Sequence, residues 1–578
     1  MTRNILKLRI AKALRKKLNK GYSLSDLRSD IMAGMVVAMV AIPLGMALAI
    51  ASGVPPQYGL YTVVIGGGVV ALLGGSKFQV TGPTAAFVVV LAPIAHKFGL
   101  GGLLVAGLMA GVIILIMGLA KMGKLIQFIP YPVTTGFTSG IAVVIATLQL
   151  KDFFGLQIVE MPERFIEKVL TIFRAYSTAS VLEFSVGVST LLFLIFWPKL
   201  TKKIPAPLVA LTVVSAVVAL VKMKFPAVEI ATIGSRFTYE LNGVIGHGIP
   251  KAAPHLGLPW LFSTADGKPF VLSLETLQLL FPSALAITML GAIESLLSAV
   301  VADGMTQTKH DPDSELIALG IGNILCPFFG GIAATGAIAR TATNIRFGAK
   351  SPIAAVVHAV FTLIVILSLA PLVSYLPMAS LAALLMLVAY NMSEMKHFMH
   401  ILRVGPKSDI TVLVLCFFLT VAFDMVMGVS VGIGIASFLF MKRMADVSSA
   451  RMFTEEYHHP HLTKPIPKDV ILYEIAGPLF FGAAENAVEA ISSIQSNIRA
   501  VIFNLESVPA MDVTGLVALE SAIYKVLDKD QQVFLVGVNP QPLKLLSKSA
   551  LMNVNQNFEI CSTIHVALNQ LNQQNLAV

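Results

Sequence analysis

Charge is scarce in this chain. Asp, Glu, Lys and Arg make up only 13% of its 578 residues, about half the ~25% of a typical soluble domain, so a solvated surface cannot be built over most of its length. Cysteine is scarcer still. Cys326, Cys416 and Cys561 stand far apart without metal-ligand spacing, so neither a disulfide framework nor a metal site is expected. No phosphate-cradling loop of the GxxxxGK[ST] type occurs, and the Ser, His and acidic residues are scattered. ATP-driven pumping and enzymatic catalysis are therefore not expected, and no cofactor is called for.

What the chain has is apolar sequence, 56% of its residues. It arrives in blocks such as Ile31–Ala51, Gly102–Ala120 and Ile353–Ala370, of the length needed to cross about 30 Å of hydrocarbon as helix. The first block runs into Pro55-Pro56-Gln57-Tyr58 without a small-residue cleavage site and is followed by many more, so it is not a cleavable signal. Ahead of it, Arg3, Lys7, Arg9, Lys12, Arg15, Lys16, Lys17, Lys20 and Arg28 face a single acid, Asp26. Positive charge stays inside, which puts the N-terminus in the cytoplasm of a bacterial inner-membrane protein. A basic amphipathic stretch in that position lies on anionic lipid headgroups, so membrane lipid is an expected partner and nucleic acid is not.

Of the cationic turns at Lys121/Lys124, Lys199/Lys202/Lys203, Lys309, Arg346/Lys350, Lys396/Arg403/Lys407 and Lys442/Arg443, most fall on alternate connections and together they fit fourteen segments with both termini cytoplasmic. An internal repeat shows where helices break. Gly74-Gly75, five residues and Thr81-Gly82-Pro83-Thr84-Ala85 are echoed by Gly330-Gly331, three residues and Thr335-Gly336-Ala337. Halves of seven segments each must be inverted relative to one another, an arrangement that sets broken helices head to head near the midplane. The expected organisation is a basic segment over residues 1–29, a membrane domain over 30–445 with repeats of about 30–222 and 275–445, and a soluble domain over 446–578. In the last, Val470–Ile475, Ala500–Leu505 and Gln532–Val538 read as strands. Helical stretches after Ala484, Gly515, Gln541 and Ile564 make it a small α/β layer domain.

A half-helix that starts inside the membrane leaves its first N–H groups unpaired, and with the helix dipole they attract an anion. Pro83 and Ala337 read as the two starts, proline suiting a first turn because its missing N–H would go unpaired there. Arg340 adds a full charge in the first turn of the second half-helix, where an arginine is costly unless it serves a site or pairs with an acid. Glu294 is the acid set deepest in an apolar run of the second half, with Ser298 one turn along the same face. Desolvation disfavours a charged carboxylate, so an acid at that depth can take up and release the proton that gradient coupling requires; its other reading is a structural salt bridge to Arg340. Asp303, Lys309 and Asp313–Glu315 read as solvated loop or gate contacts.

Four runs now stand together: Pro56-Gln57-Tyr58-Gly59-Leu60-Tyr61-Thr62, the stretch Gly74–Ala85, Gly136-Phe137-Thr138-Ser139-Gly140 and Glu294-Ser295-Leu296-Leu297. They resemble the SulP anion transporters, bacterial relatives of solute carrier family twenty-six. Gly477-Pro478-Leu479-Phe480-Phe481 and Asp512-Val513-Thr514-Gly515 resemble the STAS domain that ends such chains. The resemblance implies a polytopic α-helical membrane protein, a homodimer, with a seven-plus-seven inverted repeat whose core moves against a gate. It implies an anion site at Pro83, Thr84, Ala85, Phe87, Ala337, Ile338, Ala339 and Arg340, with Glu294 as a cation-coupling acid. Ala339 departs from the serine that often precedes the arginine. Leu148-Gln149-Leu150-Lys151-Asp152-Phe153 and Leu258-Pro259-Trp260 further resemble family members that carry C4-dicarboxylates, so proton-coupled uptake of succinate or fumarate is expected, with sulfate or bicarbonate as the alternative. A membrane-anchored STAS sensor or scaffold that binds a cytoplasmic protein is the reading from another class. Thr514 is a candidate phosphorylation site beside a helix N-terminus, or a plain cap of that helix.

Overall fold

Capping chemistry sets where the first membrane helix begins. In the computed structural model Asp26 N donates to Ser23 Oγ while Ser23 N donates to the Asp26 carboxylate, a capping box that opens the helix Leu24–Ala51. The structure describes residues 10–124, 129–158, 161–162, 164–201, 204–241, 244–263, 270–423, 425–453, 466–480, 498–553 and 557–576. Arg3, Lys7, Arg9, Lys202, Lys203, Phe481 and the helical stretch expected after Ala484 lie outside them.

Among the described residues ten helices are long and apolar enough to cross a membrane. One of them, Ala85–Leu119, is broken at Gly99, whose φ of 65° and ψ of −168° only glycine adopts without strain. Dividing it there and adding the shorter helices Pro312–Phe328, Ile338–Arg346 and Lys407–Ala422 gives the fourteen segments expected from the sequence. The second span, Pro56–Leu73, contains a π turn over Val63–Gly67. A Cβ on Gly67 would lie 2.8 Å from the Thr81 carbonyl oxygen, so this glycine lets the extended segment Thr81–Gly82 pass close against the helix.

The chain divides into two compact units, Met1–Ile433 and Gly434–Val578. The second holds a five-stranded sheet in sequential order, Ser449–Phe453, Val470–Ala476, Ala500–Asn504, Gln532–Val536 and Phe558–Cys561. The first pair is antiparallel and the rest are parallel. Alternate residues feed two separate cores, Tyr473, Phe503 and Leu535 on one face and Leu472, Ile502 and Phe534 on the other, which is why the inner strands read as continuous apolar runs. Two outer strands escaped the sequence reading, and the third expected strand ends at Val536, because Gly537 turns the chain with a φ of 67°.

Candidate functional site

Inside the membrane unit two extended segments, Thr81–Gly82 and Thr335–Gly336, pair antiparallel, Thr81 opposite Gly336 and Gly82 opposite Thr335. Each feeds a helix. The first starts at Ala85 behind Thr84, the second at Ile338 behind Ala337, and neither has a side-chain cap. The first N–H groups of both helices therefore meet no capping oxygen. Pro83 is not the first helical residue: it precedes the cap, and its contribution is its carbonyl rather than its missing N–H.

Side chains from the neighbouring helices hold the extended segments in place. Gly75 N and Ser76 N donate to Glu315 Oε2, both at 2.8 Å. Gln79 Nε2 donates to Ser295 Oγ at 2.6 Å, Val80 N to Thr341 Oγ1 at 3.0 Å, and Asn344 Nδ2 to Phe78 O at 2.9 Å. In the second repeat Asn323 accepts from Ala334 N and donates to Ala334 O, at 2.8 and 2.9 Å, and Thr335 Oγ1 donates to Gly291 O at 2.8 Å. This answers the cost of burying extended backbone, whose polar groups need partners away from water. Glu315, expected as a solvated contact, is 1% exposed. It was misread because it stands beside Asp311 and Asp313, and nothing local marks it as a backbone acceptor.

Arg340, the third residue of the second half-helix, is 2% exposed and reaches across the junction to donate to the Pro83 carbonyl. Its Nε and Nη1 have no hydrogen-bond partner among the described residues. Gly82 makes room for it, since a Cβ there would lie 2.5 Å from Nη1. Glu294, on the helix Leu274–Thr306, accepts from Thr84 Oγ1 at 2.7 Å. It forms a bond to the cap residue of the first half-helix rather than an ion pair with Arg340. Ser298 is not among the partners of that carboxylate and meets Thr341 Oγ1 at 3.1 Å, joining its helix to the second half-helix. Phe87 is buried beside Gly291. Ile338 and Ala339 are exposed, and Ala85 and Ala337 are buried.

The other candidates lie elsewhere. Tyr58 and Tyr61 contact edge to face at 6.0 Å, and Phe137 is buried in the helix Tyr131–Phe153. In the second unit Thr514 is exposed in the first turn of Val513–Leu527, whose cap is Asp512, accepting from Gly515 N at 2.7 Å. The capping role considered for Thr514 thus belongs to Asp512.

Two half-helices thus start from one antiparallel junction, the second carrying a buried arginine in its first turn. Residues 27–416 match the sulfate permease family and residues 461–567 the STAS domain. The chain belongs to the sulfate permease family and is an anion transporter of the SulP type, not an enzyme. It is 43% identical to YvdB of Bacillus subtilis, which carries a provisional sulfate-transporter name, over 92% of this chain and 96% of that one. It is 30% identical to the bicarbonate transporter BicA of Picosynechococcus over 91% of each. Murine solute carrier 26 family member A9, an anion transporter solved in an inward-facing state, matches the fold with a TM-score of 0.82 at 18% identity, over 96% of this chain and 93% of that one.

Proposed function

We propose that the chain carries small anions inward with protons, and that the anion binds at the junction of the two half-helices. The observation that carries this reading is the junction itself: two uncapped helix starts and an arginine with two unspent donors, beside a carboxylate bonded to a cap hydroxyl. The N–H groups of Ala85–Phe87 and Ile338–Arg340, with the Arg340 guanidinium, are the anion ligands. Thr84 links anion to proton. While Glu294 is charged it holds the Thr84 hydroxyl and repels an incoming anion; once protonated it releases both constraints, and Thr84 can donate to the substrate. Proton and anion then favour each other's binding by the same factor. Movement of a core that carries this junction against a gate delivers both to the other side.

C4-dicarboxylates such as succinate or fumarate are the proposed substrates, supported by the likeness of Leu148–Phe153, Leu258–Trp260 and Met289–Glu294 to the aerobic C4-dicarboxylate transporter DauA. A second reading, sulfate or bicarbonate, is supported by the names of the relatives above. A homodimer in a bacterial inner membrane, with both termini cytoplasmic, Thr514 as a regulatory site and a protein partner for the STAS domain, completes the proposal. The test is uptake into proteoliposomes of labelled succinate, sulfate and bicarbonate, each with and without an imposed pH gradient. Accumulation of succinate driven by the gradient supports the first reading, and accumulation of sulfate or bicarbonate alone supports the second. No accumulation of any of the three by folded protein refutes transport coupled to protons.

A further inference from the structure

Away from the junction, on the face that carries the N-terminal helix Lys12–Asn19, lies a cavity of about 300 Å³. Its walls bring together Lys16, Lys17 and Lys20 from that helix and its end, Lys77 from the segment leading to the first half-helix, and Lys309 and His310 from the turn after Leu274–Thr306. The carboxylates around it are already engaged. Asp26 pairs with Lys17 at 2.8 Å, and Asp311 pairs with Lys12. Asp303 accepts from His310 N and contacts its Nδ1, at 2.8 and 2.7 Å. Asp30 accepts from Lys350 N, Ser351 and Tyr22. Lys16, Lys20, Lys77 and Lys309 face this cavity with no ion-paired carboxylate among the described residues, since Asp303, which also lines it, is held by His310, and residues 1–9 contain no acid. Burial, and then the Lys17 charge, pulls Lys77 below the ordinary lysine range, against the opposing charges of Asp26 and Asp30.

The site is built, because the helix that forms one wall is fastened to the membrane core. Ala11 N donates to Leu73 O at 2.7 Å and Ala13 N to Gly74 O at 3.3 Å, beside the Lys12–Asp311 pair. Its volume suits a headgroup rather than a whole lipid. Leu18 and Leu24, 51% and 85% exposed, stand on the same N-terminal stretch and offer apolar surface for chains beyond that headgroup. We infer that this cavity binds a phosphate group, presented by an anionic lipid of the adjoining leaflet. Occupancy ties the N-terminal helix to the segment that ends in Pro83 and Thr84 and to the end of the helix bearing Glu294. Inorganic phosphate is the other source of the same chemistry.

The full chain is placed in nanodiscs of phosphatidylcholine, and thermal unfolding is followed while phosphatidylglycerol is added in one arm and inorganic phosphate in another. Wild type is expected to gain stability with phosphatidylglycerol. Lys16→Gln/Lys20→Gln should weaken the apparent affinity roughly tenfold or more, two surface cations being lost. Lys396→Gln, outside the cavity, should leave it unchanged. The double variant lies on an exposed helix, and its folding is checked by whether sulfate or succinate, bound elsewhere, still stabilises it as in wild type. A shift with inorganic phosphate alone that the double variant loses upholds the phosphate site and assigns a soluble ligand. Equal lipid response in the double variant and wild type, or no response of wild type to either probe, overturns the proposal whatever the transported anion is.

Discussion

Arg340 and Glu294 approach the same junction but spend their bonding differently, and each makes its own prediction. Arg340 gives one donor to Pro83, and its Nε and Nη1 are unpartnered among the described residues, so Arg340→Ala removes both a charge from the proposed anion site and a strut between the repeats. Hydrogen bonds to charged groups are worth about 1.5–3 kcal/mol, so anion affinity should fall roughly tenfold to hundredfold. Calorimetric titration of the purified protein with its substrate measures this, and an unchanged affinity would reduce Arg340 to its structural contact. Gly82→Ala tests the same geometry from the opposite side: its methyl group would press on Nη1, and overpacking of that kind costs about 1–3 kcal/mol, visible as weaker anion binding with Arg340 still present. Glu294→Gln keeps an oxygen for the Thr84 hydroxyl but cannot gain or lose a proton. It should still exchange substrate in counterflow and fail to accumulate it against a gradient. Accumulation driven by pH in that variant would remove Glu294 from the coupling mechanism.

At the scale of elements, the half-helices exist because other helices supply the partners that extended backbone lacks in a membrane. Glu315 accepts two N–H groups at once, and its removal leaves both buried donors unpaired. At about 1–3 kcal/mol for each unsatisfied group, Glu315→Ala should lower the melting temperature clearly, with Glu315→Gln, which retains one carbonyl acceptor, falling in between. Equal melting of all three proteins would show that water replaces the carboxylate. In the STAS domain Gly515 plays the corresponding part. A Cβ there would meet Leu479 O at 2.1 Å, a backbone atom that cannot swing aside. Gly515→Ala should therefore destabilise the STAS unit, read as earlier unfolding of its isolated sheet signal, and wild-type melting would mean that the helix Val513–Leu527 shifts at no cost.

For the whole molecule, the proposed anion site is made wholly from residues of the membrane unit, Pro83 to Arg340. Deleting the chain after Arg451 should change transport rate or delivery to the membrane more than the ranking of substrates. A changed ranking in proteoliposomes would tie the STAS unit to selectivity.

Fold class and the place of the helix breaks were legible in the chain, because membrane length, the paired Gly–Gly and Thr–Gly signals and the inner strands of the sheet are local patterns that solvent or lipid imposes on consecutive residues. The candidate site was legible only as a set of residues. That Glu294 bonds Thr84 rather than Arg340, that Ser298 braces Thr341, that the first half-helix starts at Ala85, and that Glu315 belongs to the buried scaffold were decided in three dimensions. The partners in these contacts are 210, 43 and 240 residues apart in sequence, and a side chain's bond is chosen by what folding brings within hydrogen-bonding reach of it, which no local pattern encodes.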